Sequence, residues 1–463
     1  MNPGQKTLGR PLSRLLIASA IAAAFPAYAN DASEIEKLKA QIEELDQKLK
    51  VLGRKQELVN EDVAAKQKAA PTVTASDRGF GFKSQDGQFE YRLRGIIHAD
   101  YREFGGDAFP TAVDGFLARR IRPTFEGTVF GKYGFRFTPE FGEATTTPTT
   151  SNSGTPTIID AYLDIREKPE FQIRIGKHKP FVGLERLQSA SDIKFVERSF
   201  VSNNTLPNRD FGVSVFGDVL DKRLNYAVGV FNGVQDGANI GTNQDLNSRK
   251  SFTGRLFATP FINDTDSALR GLGFGIAGTT GNISALISGY KTPGQANNFF
   301  AYATNTTANG VQERWSPQAH YYKGPFGLIY EYAWVNQPVK NGNSTTTAKN
   351  TAWQLAGSWL LTGEDASFRG VKPYSRFQSG PEGGWGAFEL VARYQENQID
   401  EAIPAAFVPT SYALKASGIA VGLNWYLNES SKFAVNYERT RLTGGTLDGK
   451  TENFLVGRYQ LSF

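Results

Sequence analysis

The sequence predicts an all-β chain: a 16-stranded antiparallel transmembrane β-barrel preceded by a short N-terminal coiled-coil helix. Three observations predict it. Apolar and polar residues alternate with period two through most of the chain beyond about residue 80. Short and long connections alternate between those segments. Past the amino-terminal leader, no stretch is apolar enough for a membrane-crossing helix, and only helices and closed barrels satisfy their backbone in lipid.

Residues 1–29 read as a secretory signal peptide. Lys6, Arg10 and Arg14 give a positive start, 15–24 is an apolar run, and Ala27-Tyr28-Ala29 is a small-residue cleavage site. The run is too short for an anchor, which needs about 20 apolar residues. Residues 30–70 read as a periplasmic coiled-coil segment. Ile35, Leu38, Ile42, Leu45, Leu49, Leu52, Val59 and Val63 recur at alternating steps of three and four, with Gln56 in the one gap. Such a stripe implies self-association. Residues 71–88 are a linker and a short hairpin, and 89–463 are the barrel.

In the first barrel segment Phe89, Tyr91, Leu93, Ile97 and Tyr101 share one face. Glu90, Arg92, Arg94, His98, Asp100 and Arg102 share the other. Ile159, Ala161, Leu163 and Ile165 alternate with Asp160, Tyr162, Asp164 and Arg166, and the pattern recurs to the last segment, which ends Leu455, Gly457, Tyr459, Leu461, Phe463 on one face. Shorter connections fall at 131–133, 167–170, 218–222, 260–269, 323–325, 362–383 and 428–431. Longer polar loops fall near 103–116, 143–156, 177–208, 232–250, 280–311, 336–350, 396–415 and 441–451. Fifteen connections join sixteen strands, with short turns in the periplasm and long loops outside. The stretch 283–290 is assigned to the fifth external loop. The address implied is the outer membrane of a Gram-negative bacterium, with lipid and lipopolysaccharide as neighbours.

No catalytic constellation stands out, so an enzyme is not expected. The chain has no cysteine, and His98, His178 and His320 lack zinc-ligand spacing, so neither a metal nor a cofactor is expected. A net charge of +5 says little until the positive residues are placed, and nothing points to nucleic acid. Arginines are placed informatively. Arg92, Arg94, Arg120, Arg122, Arg136, Arg174, Arg255, Arg314, Arg393 and Arg458 fall on the lumen face, a ladder whose planar, permanently charged forks suit oxyanions. The third long loop, 177–208, adds Lys177, His178, Lys179, Arg186, Lys194 and Arg198, with Arg209 just beyond. Folded inward, it would make a positive constriction. Left outside, it would bind lipopolysaccharide phosphates.

The run Gly176-Lys177-His178-Lys179-Pro180-Phe181-Val182-Gly183-Leu184-Glu185-Arg186, continuing to Glu197-Arg198, resembles the third-loop region of the phosphate-selective porin O and P family. Arg119-Arg120-Ile121-Arg122, the start of 160–163, Lys323-Gly324-Pro325-Phe326-Gly327 and the stretch 383–390 support the likeness, which covers about residues 80–463. The resemblance implies a homotrimer of sixteen-stranded barrels, an inward third loop and an anion-binding constriction. By that likeness Arg119, Arg120 and Arg198 are its central arginines, Asp160 the carboxylate beside them, and Ser189 one hydroxyl of a serine pair. Ala190 stands where the second serine can be, Arg186 where lysine is usual, and Arg122 where the constriction carries an aromatic. Arg119 falls on the apolar face of a regular strand and reaches the lumen only if the strand starts after it or carries a bulge.

The expectation is a passive anion-selective channel for phosphate, polyphosphate or other small anions. Two others stand beside it: a general, sugar or organic-acid porin, whose aromatic slide Tyr162, Tyr322 and Tyr426 do not complete, and a structural outer-membrane anchor using the coiled coil.

Overall fold

The computed structural model describes residues 32–142, 156–239, 248–283, 287–380 and 383–463. The expected leader at 1–29 lies outside the described residues, as do most of the second external loop and part of the fourth. The chain divides into two units, residues 1–70 and 71–463.

The described residues of the first unit form one helix, α1, Ala32–Ala69. It contains no proline, and Lys48–Glu44, Lys50–Asp46 and Lys66–Asp62 pair along its surface at 2.6, 2.6 and 2.7 Å. The stripe from Ile35 through Leu49 to Val63 is exposed in the single chain.

The second unit opens on a hairpin, Thr72–Ser76 with Gly79–Lys83, whose second strand pairs with the start of the first barrel strand. The sixteen barrel strands follow. They are β1 (Glu90–Gly106), β2 (Gly115–Val129), β3 (Tyr133–Glu140), β4 (Thr157–Lys168), β5 (Phe171–His178), β6 (Asp210–Val219), β7 (Leu224–Phe231) and β8 (Ser251–Ala258), then β9 (Leu272–Asn282), β10 (Val311–Lys323), β11 (Phe326–Asn341), β12 (Ser344–Leu360), β13 (Ala387–Gln398), β14 (Lys415–Tyr426), β15 (Ser431–Thr443) and β16 (Thr451–Ser462). Each pairs antiparallel with its sequence neighbours, and β16 pairs with β1 from Glu452↔Gly106 to Ser462↔Ile96. That pairing closes the barrel and leaves none of the sixteen as a free edge. The terminal Phe463 accepts from Gly95 N–H at 2.9 Å and its ring packs on Phe80. A side chain at position 95 would meet that ring, so only glycine fits.

The wall is inside-out relative to a soluble sheet. On β12, Asn350 and Gln354 are fully buried while Leu355 and Trp359 are exposed. On β15 and β16, Asn436, Glu438, Glu452 and Arg458 are buried while Phe433, Val435, Leu455 and Tyr459 are exposed. A continuous apolar exterior of this kind needs hydrocarbon around it.

Three expectations about the wall need correction. The external loop expected near 336–350 is instead strand: β11 and β12 run on to a tight turn at 342–343, with Gly342 at φ +58°. These strands rise past the apolar band, where the outward face turns polar and the inward face mixes Gln337 with Val339 and Ala348, so alternation fades while pairing continues. Ile159 is buried rather than on the apolar exterior. The β3–β4 register slips there, with Thr138↔Asp160 followed by Pro139↔Ile158, and the extra residue breaks the parity. The 362–383 connection, counted with the short periplasmic kind, is instead a folded segment that packs inward: Ala366 and Val371 are buried with Leu360, Ala387 and Tyr426. The stretch 283–310 is a loop, since β9 pairs directly with β10. Among its described residues it holds a small hairpin, Tyr290–Lys291 with Asn298–Phe300, and a two-residue strand, Thr307–Ala308, that pairs with Val339 and Lys340 of β11.

Candidate functional site

The third loop leaves β5 at His178 and folds into the lumen. Val182, Leu184, Ile193, Val196, Phe200, Val201 and Leu206 are all buried. Such a loop brings backbone groups that must find partners away from water, and the far wall supplies them. Glu331 accepts from Leu184 N–H at 2.6 Å, Gln395 from Phe200 N–H at 2.8 Å, and Asn436 from Val196 N–H at 2.6 Å. Gln318 donates to Val182 O and Gln188 donates to Phe368 O of the 361–386 connection, both at 2.9 Å. The loop is therefore pinned across the barrel by polar side chains of β10, β11, β13 and β15.

Arg119 reaches the lumen through a bulge. The β1–β2 register passes from His98↔Arg120 to Ala99↔Ala118, so Arg119 is the extra residue. Its Nε donates to Glu197 Oε1 at 2.6 Å and its Nη2 to Oε2 at 3.1 Å. Arg102 Nη2 donates to the same Glu197 Oε1 at 2.6 Å, and nitrogens of Arg120 and Arg458 lie 4.0 and 3.9 Å from this carboxylate. Burial works to raise the Glu197 carboxyl, but the charges of Arg119, Arg102 and Arg120 outweigh it and hold it well below the usual carboxylate range.

A second cluster has the opposite balance. Lys179 Nζ and Arg198 Nη2 both donate to the carbonyl of Gln188, at 2.8 and 2.9 Å. Arg198 Nε reaches Glu185 O at 3.4 Å, and Arg186 donates to Ser202 O and to Asn203 Oδ1. Among the described residues, none of these three cations has a carboxylate oxygen in ion-pair contact. Ser189, the next residue, accepts from Ser191 Oγ at 2.8 Å. Arg209 faces the cluster and is held by Asp160, Nε to Oδ1 at 2.8 Å. Burial, together with the Arg198 and Arg209 charges, pushes the Lys179 ammonium well below the usual lysine range, while Asp160 works the other way. Like charges gathered with too few counter-charges make a seat for an anion.

The expected ladder reaches the lumen, but it is not a column of free charge. Arg458 pairs with Asp100 at 2.6 Å, Arg314 with Asp236 at 2.8 Å, Arg393 with Glu438 at 3.0 Å and Arg174 with Asp164 at 2.7 Å. Arg122 pairs with Glu140, while Arg136, Arg92 and Arg94 crowd around Glu126. Arg255 is held by Gln318 and Asn225, with its guanidinium 4.4 Å from the Phe257 ring centroid. A packed lumen wall has low dielectric, so buried guanidinium groups take partners. Most of these guanidinium groups thus face a carboxylate, and the acidic residues that share the polar faces supply several of them.

The histidines are wall residues. His178 Nε2 meets Ser214 Oγ at 3.0 Å, but both are buried and the ring lies against Tyr162, Phe181 and Phe231.

The model of the phosphate-selective porin O and P family matches residues 89–463. The chain belongs to this family. The porin is 24% identical over 442 residues to Porin O of Pseudomonas aeruginosa, covering 85% of this chain and 93% of that one. Among solved structures it is similar to the outer membrane channel DcaP of Acinetobacter baumannii, with a TM-score of 0.51 at 14% identity, covering 83% of this chain and 99% of that one. The porin is thus an outer-membrane channel protein of a Gram-negative bacterium.

Two residues near the site were not singled out by the sequence. Glu197 stands in the quoted third-loop run, but nothing local says that it meets Arg119. Lys291 comes from the fifth loop, where burial and then the Arg119 charge lower its ammonium below the usual lysine range, which no periodicity could reveal. Arg102 had its place on the polar face of its strand, but its contact with Glu197 could not be read there.

Proposed function

We propose that this porin is a passive anion-selective channel for phosphate or polyphosphate, and that the third-loop cluster is its constriction. The observation that carries the reading is the shared carbonyl of Gln188. Two cations converge on it, at 2.8 and 2.9 Å, without a carboxylate of their own among the described residues. An oxyanion between Lys179, Arg198 and Arg186 would complete their coordination, with Ser189 and Arg209 at hand. Asp160 keeps the seat shallow enough for the anion to leave, which conduction requires. Arg119 and Arg120 lie beside this seat and contribute less than their number suggests.

The leader at 1–29 would carry the chain to the periplasm. We infer a homotrimer, in keeping with the family, with α1 associating through its apolar stripe in a separate periplasmic bundle. Small anions are the transported partners, and lipid and lipopolysaccharide surround the wall.

The test is the reversal potential of the purified protein in a planar bilayer under a KCl gradient, repeated with phosphate added. Anion selectivity, with phosphate blocking the chloride current, is expected. Cation selectivity, or a chloride current indifferent to phosphate, overturns the reading and leaves a general porin or an anchor.

A further inference from the structure

The third loop carries its own anion into the lumen. Glu197 forms a two-bond fork with Arg119, shares one oxygen with Arg102, and lies within 4.0 Å of Arg120 and Arg458. Its side chain is 3% exposed and that of Arg102 is fully buried, while Arg119 keeps 14%. This is the geometry in which a guanidinium holds a carboxylate or phosphate ligand, yet the ligand is a residue of the same chain. It is also asymmetric: among the described residues, Lys179 and Arg198, which meet at the Gln188 carbonyl, have no carboxylate in ion-pair contact.

We propose that Glu197 is a built-in counter-anion that occupies the arginine seat formed by Arg119 and Arg102, so that a permeating oxyanion competes with it there and is held mainly by the Lys179, Arg186 and Arg198 side. The proposal rests on the anion-channel reading and says how that site is tuned. A pore whose central arginines all stood open would bind a multiply charged anion tightly and release it slowly. Filling half of the seat with a tethered carboxylate lowers affinity in favour of throughput. The tether is firm, because the neighbouring Val196 N–H and O are held by Asn436 and Arg458 at 2.6 and 2.8 Å.

Glu197→Gln removes the charge and keeps the shape. Freed guanidinium donors should then hold phosphate better, and the concentration that half-blocks the chloride current should fall by about tenfold, the low end for a hydrogen bond to a charged group. Glu197→Asp keeps the charge and should give the smaller shift of the two. A residue that merely braced the loop would do the opposite: its loss would loosen the constriction and weaken the block. Because a lone Gln takes from Arg119 its carboxylate partner, while Arg102 keeps Asp100 at 2.8 Å, the double variant Arg102→Gln/Glu197→Gln is measured as well. It removes both partners of a buried pair, which folds more readily, and it still frees Arg119, so its block should also tighten. An unchanged or weaker block in Glu197→Gln and in the double variant overturns the proposal, and so does Glu197→Asp shifting the block as far as Glu197→Gln. Those failures are distinct from failure of the channel reading, which shows as lost anion selectivity in the unaltered protein.

Discussion

Arg198→Gln is the substitution that most directly tests the constriction. Of the five N–H donors of a guanidinium, the Arg198 side chain uses one toward Gln188 O at 2.9 Å and one toward Glu185 O at 3.4 Å. Three remain for a passing anion. A hydrogen bond to a charged group contributes about 1.5–3 kcal/mol. A permeating phosphate keeps some of its water, so the lower figure for one such bond is the appropriate charge. At about 1.4 kcal/mol per decade, the half-blocking phosphate concentration should rise about tenfold. Two effects limit the loss. Glutamine can keep the bond to Gln188 O, and removing the Arg198 charge relieves one of the like charges that depress the neighbouring Lys179 ammonium. The fold should survive, since Leu184, Val196 and Phe200 are pinned to the far wall independently of Arg198. The assay is phosphate titration of chloride current in a planar bilayer, with Arg198→Lys alongside. Lysine keeps the charge but not the fork and should fall between the two. If Arg198→Gln leaves the block where it was while anion selectivity persists, the anion is held elsewhere and the account of the Gln188 carbonyl is wrong.

Four further outcomes are expected. Glu331→Ala unpins the third loop by orphaning Leu184 N–H, at a cost of about 1–3 kcal/mol for a buried unsatisfied donor, and should appear as added noise in single-channel current. Gly95→Val places a side chain into the Phe463 ring, and the yield of heat-resistant folded barrel should drop sharply. A peptide spanning residues 31–70 should sediment as an oligomer, and Leu45→Asp should return it to a monomer, because charge in an apolar seam has no partner. Asp107 accepts from Thr451 N–H at 2.7 Å, and this hydrogen bond holds its carboxyl below the usual range. A depressed carboxylate stabilises above its unfolded value, so this tie between the first external loop and β16 should be intact at neutral pH and lost on acidification below about pH 4. Proteolysis of the 107–114 loop as a function of pH would show it.

Much of the wall was legible because its signals are local. Lipid-facing residues and turn chemistry are written every ten or so residues, and sixteen strands follow from them. Legibility ends where parity slips. Ile159 and Arg119 sit at bulges, and a bulge is a property of two strands in register, invisible in either alone. The stretch 336–350 misled because strands that rise out of the apolar band keep their pairing and lose their alternation. At the site, the arginines could be assigned to the lumen from period two, and Arg186 and Arg198 from their place in the third loop. Their partners could not. Asp100 and Glu438 come from nearby strands, and Asp236 and Glu197 from inward loops, through tertiary pairing that is distant in sequence, so charge type could be read from the sequence while charge balance could not.

The seam between β16 and β1 has a consequence in time. Asp100 and Arg458, 358 residues apart, meet across it at 2.6 Å. Arg458 also donates to Val196 O of the third loop, and Arg102 beside Asp100 donates to Glu197. β16 therefore supplies both the closing stave of the cask and part of the fastening for the loop inside it. Until β16 meets β1, Arg458 is not in place to hold Val196, so closing the wall and seating the third loop are coupled steps of assembly.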